Sequence, residues 1–141
     1  MSNIEVSGDV LFGGSDWNRP RWTVEQEKVN LKFSGFSFYG SNGQITSVKG
    51  TLYTSYGNSY FIRIAIPENY PYTMPTVSLP NHSLEAYCPH RFTSENICLM
   101  KSDQWSSALS IAFLIAKAAK WLHKYDYWKR KGEWPGREQE H

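Results

Sequence analysis

The sequence predicts an α+β domain: an N-terminal helix, a four-stranded antiparallel meander, a long loop, and a long helix packed on the sheet. Three observations carry that expectation. Two turn signals, "SNGQ" and "YGNS", separate runs rich in β-branched and aromatic residues. A helix-spaced segment precedes those runs, and a nearly all-apolar helix follows them. Between the last run and that helix lies "YCPHRFTSENICLMKSDQW", residues 87–105, which has no regular period and holds both cysteines of the chain.

Residues 1–19 read as a loosely held arm, with Gly13-Gly14 and few periodic apolar residues. "PRWTVEQEKVNLKF" opens on Pro20, which is tolerated near a helix start, and spaces Trp22, Val29 and Phe33 as a helix would. A strand through Val29, Leu31 and Phe33 is the competing reading. "GFSFYG" is the first strand, and Asn42-Gly43 suits a tight hairpin because both residues accept positive φ cheaply. "ITSVKGTLYTS" and "YFIRIAIP" follow, the latter alternating Phe61, Arg63 and Ala65 against Ile62, Ile64 and Ile66. The prolines of "NYPYTMP" force an extended crossing before the fourth strand, "TVSLP". Ser106 or Ser107 is the expected cap of a helix through "ALSIAFLIAKAAKWLHKY". Its polar stripe, Ser107, Ser110, Lys117, Lys120 and Lys124, is the edge left for water. The pattern breaks at Gly132 and again at Pro135-Gly136.

Composition narrows the function classes. With 141 residues the chain fits one domain that can build its own core. The expected division is an arm over 1–19 and a single domain over 20–141, ending in a Trp134-Pro135-Gly136 tail. A net charge of +2 and the absence of a long Lys/Arg run before "KYDYWKRKGEW" argue against a nucleic-acid partner. Aromatics at 16% point to thick packing or a partner-facing surface. No segment reaches the roughly 18 apolar residues of a membrane span, and "MSNIEVSGDV" lacks a signal-peptide pattern. The chain therefore reads as cytoplasmic, where a Cys88–Cys98 disulfide would be unusual and the Asn81 sequon carries no meaning.

The irregular segment supports three chemistries. His82, Cys88, His90 and Cys98 supply the ligand types of a zinc tetrahedron, but no C-x-x-C knuckle is present and Cys88-x-His90 is short for one ion. Two small buried thiols are the ordinary state of cytosolic cysteines. The third reading is a nucleophile, Cys98, in a loop between strand and helix, with His90 upstream as base or hydrogen-bond donor. Cys98 precedes the expected cap by about eight residues and so lacks the pKa-lowering helix N-terminus of cysteine hydrolases. A thiol without that activation suits nearly isoenergetic exchange with a thioester better than attack on an amide.

"IPENYPYTMPTVSLP", "ICL" and "WSSALSI", in this order and spacing over residues 60–122, resemble the core of the ubiquitin-conjugating enzymes. The resemblance implies the same α+β fold, an active-site loop, and Cys98 as the thioester-forming cysteine. In that family a His-Pro-Asn triplet precedes the cysteine and its Asn helps hold the oxyanion. Here the matching triplet is Cys88-Pro89-His90, which puts His90 at the Asn position and Cys88 at the His position. An imidazole N–H can donate the same bond, and can also take a proton from an amine. Met100 replaces the acid that commonly follows "ICL", leaving Asp103 as the nearest carboxylate.

The pattern "ICLM…W…WL..Y..W…G.WPG.E..H" further resembles stand-alone conjugating-enzyme-like proteins of bacterial antiphage cyclic-oligonucleotide signalling (CBASS) operons. That resemblance implies a protein partner, the C-terminus of a cyclic-nucleotide synthase, and no cofactor or metal. The expected site is Cys98 and His90 as catalytic residues, Asn96 and Asp103 on the loop or acceptor side, and Tyr87 and Trp105 walling the groove. The rival class is a non-catalytic module that clasps the synthase; a hydrolase that removes conjugates is a more distant one.

Overall fold

Pro20, with φ fixed near the helical value, leads into α1 (Arg21–Lys32). In this computed structural model, residues 10–80 and 96–135 are described. The helix buries Val24, Glu25, Lys28 and Val29, a stripe at i, i+4 spacing that contains two charged residues. Leu31 is 77% exposed, so the strand reading of Val29, Leu31 and Phe33 does not hold.

The sheet is a meander in the order β1 (Ser37–Ser41), β2 (Gln44–Tyr53), β3 (Ser59–Ala65), β4 (Thr76–Ser78), antiparallel throughout. Asn42 and Gly43 make the first turn with φ of 55° and 77°. That left-handed pair matches the twist of the strands it joins. In β3 the alternation works as expected: Tyr60, Ile62 and Ile64 are buried while Phe61 and Arg63 face out. The connection from β3 crosses through Tyr70–Pro71, a cis peptide, before β4.

The long helix α2 (Ile111–Lys131) lies on the sheet. Ile111, Leu114, Ile115, Ala118, Leu122 and Tyr125 form one core with Val48, Leu52, Ile62, Ile64 and Val77. Each such Ile or Leu contributes about 1.5–3 kcal/mol by leaving water. Ser110, not Ser106 or Ser107, is the cap: its Oγ accepts the Phe113 N–H at 3.0 Å. Ser110 is fully buried, so it also leaves the expected water-facing stripe. Ser106 instead closes a turn, with the Leu109 N–H donating to its carbonyl and the Ala108 N–H to its Oγ. Gly132, at φ 82°, ends α2 in the left-handed conformation that glycine adopts at no steric cost. Beyond it Trp134 folds back on Trp121, with ring centroids 5.3 Å apart.

Two further attachments shape the molecule. Asp126, buried on α2, accepts from Thr54 Oγ1, Asn58 Nδ2 and Tyr60 Oη, which ties the β2–β3 turn to the helix. Of residues 10–19, two hydrophobic side chains are buried, while Gly13, Gly14, Ser15 and Trp17–Arg19 are exposed. Val10 and Phe12 are buried, Phe12 N–H donates to the Ala108 carbonyl, and Ser110 Oγ donates to the Val10 carbonyl. Among the described residues no helix is long and apolar enough to cross a membrane.

Candidate active site around Cys98

The segment carrying Cys98 enters along β4. Ile97 N–H donates to the Val77 carbonyl at 3.1 Å, and Asn96 pairs with Ser78 as an antiparallel bridge. Extended backbone alternates faces, so Ile97 and Leu99 go into the core while Asn96 and Cys98 stay half-buried. Met100, in the place of the family's usual acid, is buried. Cys98 is thus held from both sides by hydrophobic neighbours and is a free thiol. Burial pushes its pKa up, because the thiolate loses hydration there.

After Met100 the chain makes a single 3-10 turn, Ser102–Gln104, closed by the Lys101 N–H donating to Gln104 Oε1. Asp103 lies on this turn and is exposed. Trp105 follows and is pinned: its indole N–H donates to the Pro71 carbonyl at 2.8 Å, and its ring packs on Tyr70 at 6.1 Å. Asn96, Cys98, Asp103 and Trp105 therefore lie on one continuous segment between β4 and α2. His90, Tyr87 and the remaining zinc candidates, His82 and Cys88, fall outside the described residues. Among the described residues no group of three or more His, Cys, Asp or Glu is arranged to hold a metal ion.

Sequence reasoning missed a buried polar cluster behind this segment. The Glu25 carboxylate, fully buried, accepts from Arg21 Nε at 2.9 Å, Tyr70 Oη at 2.5 Å and the Ile111 N–H at 2.9 Å. Burial raises the Glu25 pKa against the pull of those three donors, and burial together with Glu25 raises that of the Tyr70 phenol. Arg21 directs its terminal nitrogens to the Ser107 carbonyl at 2.8 Å, the Leu109 carbonyl at 2.7 Å and, at 3.4 Å, Tyr70 Oη. Its guanidinium lies 3.9 Å from the centre of the Phe12 ring. The signal available in the sequence was the i, i+4 spacing of Arg21 and Glu25, which by itself reads as a surface pair.

A helix, a four-stranded meander and a long helix on the sheet, with a half-buried cysteine in the segment between β4 and α2, define a ubiquitin-conjugating-enzyme-like protein. The family described as "Type II CBASS E2 protein" matches residues 25–141, and the chain belongs to it. It is thereby a ubiquitin-conjugating-like member of an antiviral defence system. Ubiquitin-conjugating enzyme E2 W of Caenorhabditis elegans is 31% identical over 68 residues, a stretch that covers 48% of this chain and 43% of that protein. The chain thus spans less than half the length of that curated relative.

Proposed function

We propose that Cys98 accepts the C-terminal acyl group of a partner protein as a thioester, and that the partner is the cyclic-oligonucleotide synthase of the defence operon. The observation that carries this reading is a free, half-buried thiol in the loop between β4 and α2 of a chain belonging to a conjugating-enzyme family. A thiol whose pKa burial raises is a modest nucleophile. Thioester exchange needs no more, since one C–S bond replaces another and the proton passes from the incoming to the departing thiol. His90 donates to the oxyanion, Asn96 and Asp103 serve the acceptor side, and Tyr87 and Trp105 wall the groove. The work is done in the cytoplasm, where both partners are made.

The test mixes the protein with the synthase, with and without an activating enzyme, and seeks a thiol-sensitive adduct by intact-mass analysis. An adduct at Cys98, lost in Cys98→Ala together with antiphage protection, supports the reading. Protection that survives Cys98→Ala makes the protein an adaptor instead.

A further inference from the structure

We infer that Arg21 and Glu25 of α1 are positioning residues for Cys98, acting through the segment that leaves the Cys98 loop. The inference rests on the thioester reading, and it concerns residues far from that thiol in sequence.

The geometry is a suspension with two ends. Upstream of Cys98, β4 holds Asn96 and Ile97 through Ser78 and Val77. Downstream, the polar anchors of residues 105–111 come from two places, the crossing before β4 and the N-terminal part of the chain. Pro71 holds the Trp105 indole, and Tyr70 carries its ring. Arg21 holds the carbonyls of Ser107 and Leu109 with two nitrogens of one planar group. Glu25 holds the Ile111 N–H with one oxygen, and Arg21 and Tyr70 with the other. A single ion pair therefore fixes both the segment following Trp105 and the tyrosine on which Trp105 rests.

The cost of the arrangement argues against mere packing. A carboxylate and a guanidinium in the core are offset only when every donor and acceptor is matched, and replacing such a pair by apolar residues is often neutral or stabilising. What an ion pair adds is direction. A planar fork bonded to two carbonyls two residues apart defines where that backbone lies, and a lysine cannot reproduce the fork. Misplacement of a reacting atom by about 1 Å costs on the order of a hundredfold in rate. A loosened exit would let the thiol drift toward water, so its pKa would fall toward the ordinary range while its aim is lost.

The experiment uses the full chain with Arg21→Lys, Glu25→Gln and Tyr70→Phe, the last deleting only the hydroxyl that bonds Glu25 and keeping the ring under Trp105. Circular dichroism first establishes which variants are folded. Two probes are then applied: iodoacetamide, to obtain the pH profile of Cys98 alkylation, and a glycine-terminated peptide thioester with a second free thiol that takes the acyl group off Cys98, to obtain kcat and KM for acyl exchange. In Arg21→Lys and Glu25→Gln the alkylation profile should shift to lower pH, and kcat for exchange should fall about tenfold with KM little changed. Tyr70→Phe should move both in the same directions by less. A role confined to stability would lower the melting temperature and leave the thiol's pH profile in place. Folded variants with the wild-type profile and exchange rate overturn the inference, and if the two α1 variants do not fold, Tyr70→Phe decides it. Should wild-type Cys98 be alkylated yet take no acyl group, the thioester reading fails, and the alkylation profiles still decide the positioning role.

Discussion

Ile97 and Leu99 turn inward, and this leaves Cys98 between protein and water. Burial acts against the thiolate, so at neutral pH a smaller fraction of Cys98 is ionised than of a free cysteine. The alkylation rate of the wild-type protein should accordingly keep rising with pH after that of free cysteine has levelled off, a difference that iodoacetamide kinetics on both will show. His90 tests the oxyanion assignment. His90→Ala is expected to lose about 10²–10³-fold in thioester formation, whereas His90→Asn, which restores the family's donor, keeps much of the rate. Equal losses in the two would assign His90 a proton-transfer role. At this scale the sequence singled out Cys98 as the candidate through "ICL" and its neighbours. It did not reveal Glu25, because a charged residue one place beyond Val24 looks like the rim of an apolar stripe until tertiary structure supplies Tyr70 and the Ile111 N–H.

The elements that carry their own local signal were readable: the Asn42-Gly43 turn, the alternation of β3, and the Gly132 stop. The start of α2 was not, since three serines within five residues all satisfy the local cap rule. The choice is made at a distance. Arg21 and Phe12 take the carbonyls of Ser107, Ala108 and Leu109, which holds that stretch outside the helix and leaves Ser110 to cap it. Ser110→Ala should therefore cost about 1–2 kcal/mol in urea melts, through the lost bond to the Phe113 N–H and the lost donation to Val10. Ser106→Ala, at an exposed turn, should stay within about 0.5 kcal/mol. The cap is thus set by tertiary contacts from α1 and the segment before it.

For the whole molecule, Glu25 links folding to pH. Its pKa is raised in the folded state, so the native protein binds that proton more tightly than the unfolded chain does. The stability this contributes is fully present below the ordinary glutamate pKa and is lost as pH rises through the raised folded value. Urea melts taken at increasing pH above the ordinary glutamate pKa should show that loss in the wild type, superimposed on the other carboxylates, and Glu25→Gln should remove it. The overall architecture was legible because strand alternation and one long apolar helix leave few ways to bury both. The packing of Val10 and Phe12 was not, since nothing local announces that they will find α2's entry. At the other end the rings of Trp134, Trp121, Tyr125 and Trp128 follow one another at 5.3, 5.4 and 6.0 Å, the first pair tilted and the next two stacked. Indoles this close share their excited states, so the protein should carry a split ultraviolet dichroism signal that Trp134→Phe erases without unfolding it. That makes the chain its own optical gauge of whether its last described turn is seated.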